Sequence, residues 1–105
     1  TPTWLNEGLS SYVSGDIQFK KKPASFSSFL EFFDRGGAGV YNESPFAVAV
    51  LVDAFGKEKI LEILRKMKET GGNMTKDKFD DLFKAVYGFE LTYDAFNKLI
   101  DAGNP

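Results

Sequence analysis

The 105 residues contain neither cysteine nor histidine. Without cysteine there is no disulfide framework and no thiolate chemistry. Cysteine-free chains occur both inside and outside cells, so no compartment follows. The absence of histidine removes the commonest metal-ligating side chain. An excess of basic charge is missing as well. Thirteen Lys and Arg stand against fifteen Asp and Glu, for a net charge of -2 and a pI near 5.1. Nucleic-acid binders carry the opposite footprint, so no nucleic-acid partner is expected. Long apolar runs are lacking too: the longest, Phe46 to Val52, is followed by Asp53 and is far too short to span a bilayer. This segment is therefore not expected to insert into a membrane. No signal peptide is visible. The chain opens directly on a motif, so more chain is expected ahead of it. No β pattern of useful length occurs.

What the chain does have is eleven phenylalanines and a helical rhythm. Residues 1–105 read as a single helical domain or subdomain, large enough to bury a core without covalent staples. A first helix is predicted from Pro2 to Ser14, with Gly15 just beyond its end. Residues 15–24 read as a loop. A short second helix is predicted over Ser25 to Phe33, where Phe26, Phe29, Leu30 and Phe33 fall at helical spacing. Gly36-Gly37-Ala38-Gly39 breaks the chain, and Ser44-Pro45 reads as an N-cap followed by a proline at the first helical position.

The third helix, running to Phe55, is apolar on almost every face and so belongs in the middle of the structure. Gly56 ends it. Lys57 to Glu69 forms a fourth helix with a stripe of Ile60, Leu61, Ile63, Leu64 and Met67. After the Gly71-Gly72-Asn73 loop, Thr75 is predicted to cap a fifth helix carrying Phe79, Leu82, Phe83 and Val86. Gly88 stops that helix, and Thr92 caps a sixth that buries Tyr93, Phe96, Leu99 and Ile100. The expected class is all-α, a compact bundle of about six helices.

Chemistry concentrates in the first helix. At about 100° per residue, Leu5, Leu9, Tyr12 and Val13 share one side, and Glu7 lies opposite among Thr3, Ser10, Ser11 and Ser14. Gly8 and the small hydroxyl residues would let a second helix approach closely. An ordinary solvated face is the plain alternative. The stretch Trp4-Leu5-Asn6-Glu7-Gly8-Leu9-Ser10-Ser11-Tyr12 resembles the helix that supplies the third zinc ligand in gluzincin metallopeptidases, the thermolysin and aminopeptidase N type, which read W-x-N-E-G-x-A/S-x-Y. The resemblance implies that Glu7 is a zinc ligand. It also implies that two histidines and the general-base glutamate come from an H-E-x-x-H segment upstream in the same parent chain.

Tyr41-Asn42-Glu43-Ser44-Pro45, leading into the apolar helix, is similar to a second block of that family. There a tyrosine hydroxyl donates to the oxyanion of the tetrahedral intermediate, which makes Tyr41 the candidate catalytic residue. Ser44-Pro45 stands where the aminopeptidases favour Lys-Gly. The plain alternative is a helix-start tyrosine that packs on a neighbour. On this resemblance the chain is the C-terminal part of a zinc-dependent peptidase, forming one wall of a peptide-substrate cleft. It is expected to hold no zinc and to be inactive as an isolated piece. The rival reading is a non-enzymatic helical interaction module, such as a degenerate peptidase relative.

Three further features are set aside at this level. Lys20-Lys21-Lys22 beside Phe19 reads as a solvated loop, with an anion or membrane contact as its alternative. Gly36-Gly37-Ala38-Gly39 is no phosphate loop, since no Lys-Ser/Thr follows it. Between Val86 and Thr92 no calcium-ligand run occurs.

Overall fold

In the computed structural model the described residues form five α-helices and contain no strand. The described residues are 1–37, 40–71 and 74–102, and the side chains of Val40, Tyr41 and Ala102 are not among them. The helices are α1 (Thr3–Ser14), α2 (Val40–Phe55), α3 (Lys57–Glu69), α4 (Lys76–Tyr87) and α5 (Tyr93–Ala102). Two single turns of 3-10 helix, Asp16–Phe19 and Phe29–Glu31, lie between α1 and α2. No helix among the described residues is long and apolar enough to cross a membrane. The Cα radius of gyration, 12.9 Å, is close to that of a folded domain of this length.

The predicted ends of α4 and α5 are in place. The Lys78 amide donates to Thr75 Oγ1 at 3.2 Å, and the Ala95 amide donates to Thr92 Oγ1 at 3.2 Å. Each hydroxyl satisfies one of the amides that a helix start leaves without a partner. Gly88 closes α4 in the left-handed region at φ 84°, where its amide donates to the Lys84 carbonyl. Lys59 Nζ reaches the Val86 carbonyl at 2.9 Å, tying α3 to that same end.

Helix α2 is the central element, packing against α1, α3, α5 and the Phe29–Glu31 turn. This follows from its composition: Ala47, Val48 and Leu51 are buried on one side, and Phe46, Val50 and Val52 are partly covered on others. It starts four residues ahead of Ser44, so Ser44-Pro45 is not its beginning. Ser44 is fully buried and Pro45 stands inside the helix. At the sixth residue proline stands just past the four amides that a helix start leaves free, and its missing N–H forfeits the one bond to the carbonyl four residues back.

Around α2 the aromatic rings assemble the core. Trp4 meets Phe29, Phe79 and Phe96 edge-on, with centroids 5.0, 6.2 and 6.4 Å away. Phe96 in turn contacts Phe26, Phe29 and Phe83. Edge-to-face contact sets the positive rim of one ring against the negative face of the next, so each pair adds to the area it buries.

The helix predicted over Ser25 to Phe33 does not form; the structure has only the 3-10 turn Phe29–Glu31 there. The reason lies in where its backbone hydrogen bonds go. The Ser27, Ser28 and Phe29 amides all donate to the Glu43 carboxylate, at 2.9 to 3.1 Å. Asn97 brackets Phe26, accepting from its amide at 2.6 Å and donating to its carbonyl at 3.2 Å. The carbonyls of Phe32 and Phe33 accept the Trp4 and Thr3 amides at the start of α1, at 2.9 and 2.8 Å. Groups on three helices thus replace the internal ladder that a helix would need. Phe26 and Phe29 still reach the core, as their spacing suggested, but without an α-helix to carry them.

Glu43 is 7% exposed and has no cation partner among the described residues. Removing it strands several amides at once. Glu43→Ala is expected to lower unfolding free energy in urea by about 2–4 kcal/mol, with Glu43→Gln intermediate because one acceptor oxygen survives. A loss below about 0.5 kcal/mol for Glu43→Ala would show that the segment is held by its phenylalanines alone.

Candidate functional site

The Glu7 turn of α1 rests against α2 through Gly8. A Cβ at position 8 would lie 2.5 Å from the Ser44 carbonyl oxygen and 2.8 Å from Val48 Cγ2. Only hydrogen fits there. This contact turns the helix relative to its apolar pattern. The buried positions are Trp4, Leu5, Gly8 and Ser11, while Val13 is 79% exposed. The predicted wheel, with Val13 inside and Ser11 outside, is corrected accordingly: the small residues form the seam because the α2 backbone comes too near for large ones. Close approach through Gly8 was legible in the sequence, but the turn of the helix that it imposes was not.

With this orientation Glu7 sits on the flank of α1 and not opposite its buried face. Its side chain is half-buried. It makes no hydrogen bond or ion pair among the described residues, whereas Asn6 and Ser10 beside it are exposed. Among the described residues no three His, Cys, Asp or Glu converge on one point. Tyr41 belongs to the first turn of α2, one turn ahead of Ser44 and so near the Gly8 crossing along the chain. Its side chain lies outside the described residues, so its approach to Glu7 is not defined.

The functional-looking residue that sequence reasoning missed is Glu43. A lone acid at the start of an apolar helix, downstream of the serine-rich Ser25-Phe26-Ser27-Ser28, was the available signal. Its role here is architectural: it holds the segment onto which α1 begins.

Elsewhere, a cleft of about 530 Å³ between the Phe29–Glu31 turn and α5 exposes Glu31, Asp34, Lys76 and Tyr93. Tyr93 donates its phenolic hydrogen to Glu31. Burial, then the Glu31 hydrogen bond and charge, push the Tyr93 phenol above its ordinary range. Burial alone does the same to Tyr87, whose hydroxyl has no hydrogen-bond partner among the described residues.

Comparison with protein-family models, with curated proteins and with solved structures finds no match to this chain. The reading of the site therefore rests on the residues themselves.

Two measurements test this geometry. Gly8→Ala should destabilise the fold by about 1–3 kcal/mol in chemical denaturation, although alanine favours a helix by about 1 kcal/mol over glycine. A stabilised Gly8→Ala protein would mean that α1 does not pack as described. For the tyrosines, a folded pKa above the unfolded value of about 10 gives stability that is complete below that value and is lost as pH rises through the folded pKa. In an alkaline titration of phenolate absorbance, two of the four tyrosines should ionise late, and Tyr93→Phe should remove one late step. Four tyrosines titrating together would contradict the burial.

Proposed function

We propose that this chain is the C-terminal helical part of a gluzincin-type zinc metallopeptidase, and that Glu7 is its zinc ligand. The observation that carries the reading is the division of labour along Trp4 to Tyr12. Trp4 and Leu5 are core residues, and Gly8 and Ser11 seat α1 on α2. Glu7, between them, keeps a half-buried carboxylate that no lysine or amide among the described residues engages. A carboxylate held on a fixed helix and free of competing donors suits the oxygen ligand that a zinc site requires. Both histidines and the general base would come from an H-E-x-x-H segment of the parent chain.

Zinc bound there would supply Lewis-acid activation of the scissile carbonyl and of the attacking water. The work of this chain's own residues is positioning. Core packing of Trp4 fixes the pitch of α1, and the Gly8 crossing fixes its turn, so the Glu7 carboxylate is presented at one angle. Tyr41, at the start of α2, would donate its hydroxyl hydrogen to the oxyanion of the tetrahedral intermediate. That interaction exists only near the transition state, and so it accelerates the chemical step. The outer surfaces of α1 and α2 would form one wall of the cleft for a peptide substrate. With a single carboxylate from the ligand set, the chain by itself would neither hold catalytic zinc nor hydrolyse peptides.

The test is the zinc content of the longer parent protein and of its Glu7→Ala variant, with thermal unfolding as a control for folding. About one zinc per chain in the parent, most of it lost in a folded variant, is the expected result. If neither protein carries zinc, the motif is a coincidence or a relic and the domain is a helical interaction module. Tight one-to-one zinc binding to the present chain alone would also overturn the reading.

A further inference from the structure

We propose that the loop Phe19-Lys20-Lys21-Lys22, together with Val13, is a docking surface for an anionic lipid bilayer. Phe19, at the end of the 3-10 turn Asp16–Phe19, is 82% exposed. Val13, in the last turn of α1, is 79% exposed. Single exposed apolar side chains are ordinary, but Val13 lies at the end of α1 and Phe19 at the end of the next turn, which packs against α1. Only Leu61, among the other large hydrophobics described, is comparably uncovered.

Beside them stands the densest positive charge in the chain. Lys20, Lys21 and Lys22 line one open groove with Asn42. No acidic residue occurs between Asp16 and Glu31. Lys20 is drawn toward Asp16 at 3.9 Å, whereas Lys21 and Lys22 are exposed and make no ion pair among the described residues. The molecule as a whole is acidic, so this basic end is a local asymmetry and not part of a general positive field.

An uncovered phenylalanine followed by flexible ammonium groups fits the boundary of a membrane. The ring enters the headgroup region, while the lysine stems let their charges stay among the phosphates. Lysine is a point charge without the planar fork of arginine. It therefore suits a diffuse anionic sheet better than a defined carboxylate on a protein partner. Each lysine near such a surface strengthens binding about fivefold at moderate ionic strength, and the effect fades as salt is added. Glu7 lies on a different arc of α1, so this inference does not depend on the peptidase reading and its failure would not touch it.

The experiment is co-sedimentation of the chain with phosphatidylcholine vesicles, with and without phosphatidylserine, at low and high salt. Binding should require phosphatidylserine and weaken with salt. Phe19→Ser should reduce it about tenfold, and Lys21→Glu with Lys22→Glu by about tenfold or more. Both sets of changes are at exposed positions, and circular dichroism of each variant is the control that the helices persist. Failure to bind either vesicle, equal binding to both, or binding indifferent to these substitutions overturns the proposal. Lysine-dependent binding to polyglutamate without vesicle binding also overturns it, in favour of an acidic protein partner.

Discussion

The Glu43 carboxylate sets the conditions for the rest of the molecule. It stands in the first turn of α2, where the positive end of the helix dipole favours a negative charge. Its two oxygens receive three consecutive backbone amides and the Ser27 hydroxyl. A buried carboxylate without a cation is ordinarily expensive. Here the converging amides take the place of water, and the geometry they enforce carries forward. With residues 27–29 held in place, Phe26 and Phe29 enter the core. The carbonyls of Phe32 and Phe33 then fall where α1 needs acceptors for its first amides. That helix has no side-chain cap of its own. Its start depends on a loop, and the loop depends on a carboxylate from α2.

The second constraint is steric, at the crossing of α1 and α2. With Gly8 against the Ser44 carbonyl, the helices meet backbone to side, and the buried stripe of α1 becomes Trp4, Gly8 and Ser11. Trp4 anchors one end of that stripe among Phe29, Phe79 and Phe96. The small residues leave no room for play in the middle of it. A side chain on the flank, such as Glu7, inherits that fixity without contributing to the packing. This arrangement suits a ligand or positioning residue, because its own contacts do not have to be broken for it to engage something else. Ser44 accommodates the crossing at a local expense, since its hydroxyl is wholly buried and finds no partner among the described residues.

Periodicity and capping made most of the architecture legible. Thr75, Gly88 and Thr92 delimit α4 and α5 because hydroxyl caps and a left-handed glycine act within a few residues of themselves. Helix α2 had to be central because it is apolar on almost every face, with its exposed Asn42 and Asp53 near its two ends. The segment from Ser25 to Phe33 was not legible, for the opposite reason. Its phenylalanine spacing is helical, yet its conformation is decided by Glu43 and Asn97, 14 to 71 residues away. Such long-range satisfaction of a backbone leaves no trace in a local window. The same limit applies to α1: its sequence identifies Gly8 as a close-approach residue, but not which side the partner approaches from. A single helix with Val13 outside and Ser11 inside defies a wheel drawn on hydrophobicity alone.

That inversion also separates the two surfaces assigned to α1. Six residues divide Glu7 from Val13, which at about 100° per residue places them roughly 120° apart around the axis. They also lie at different heights, about 9 Å along the helix at its usual rise. A metal site at the flank near the start of α1 and a bilayer contact at its far end therefore do not compete for space. The buried stripe, fixed by Trp4 and Gly8, runs behind them, and the exposed Asn6 and Ser10 occupy the arc between. If both assignments hold, α1 would tie the depth of Phe19 in the headgroup layer to the height of the Glu7 turn above it. The coupling would be mechanical: α1, clamped at Gly8, carries Glu7 and Val13, and the turn that bears Phe19 packs against it.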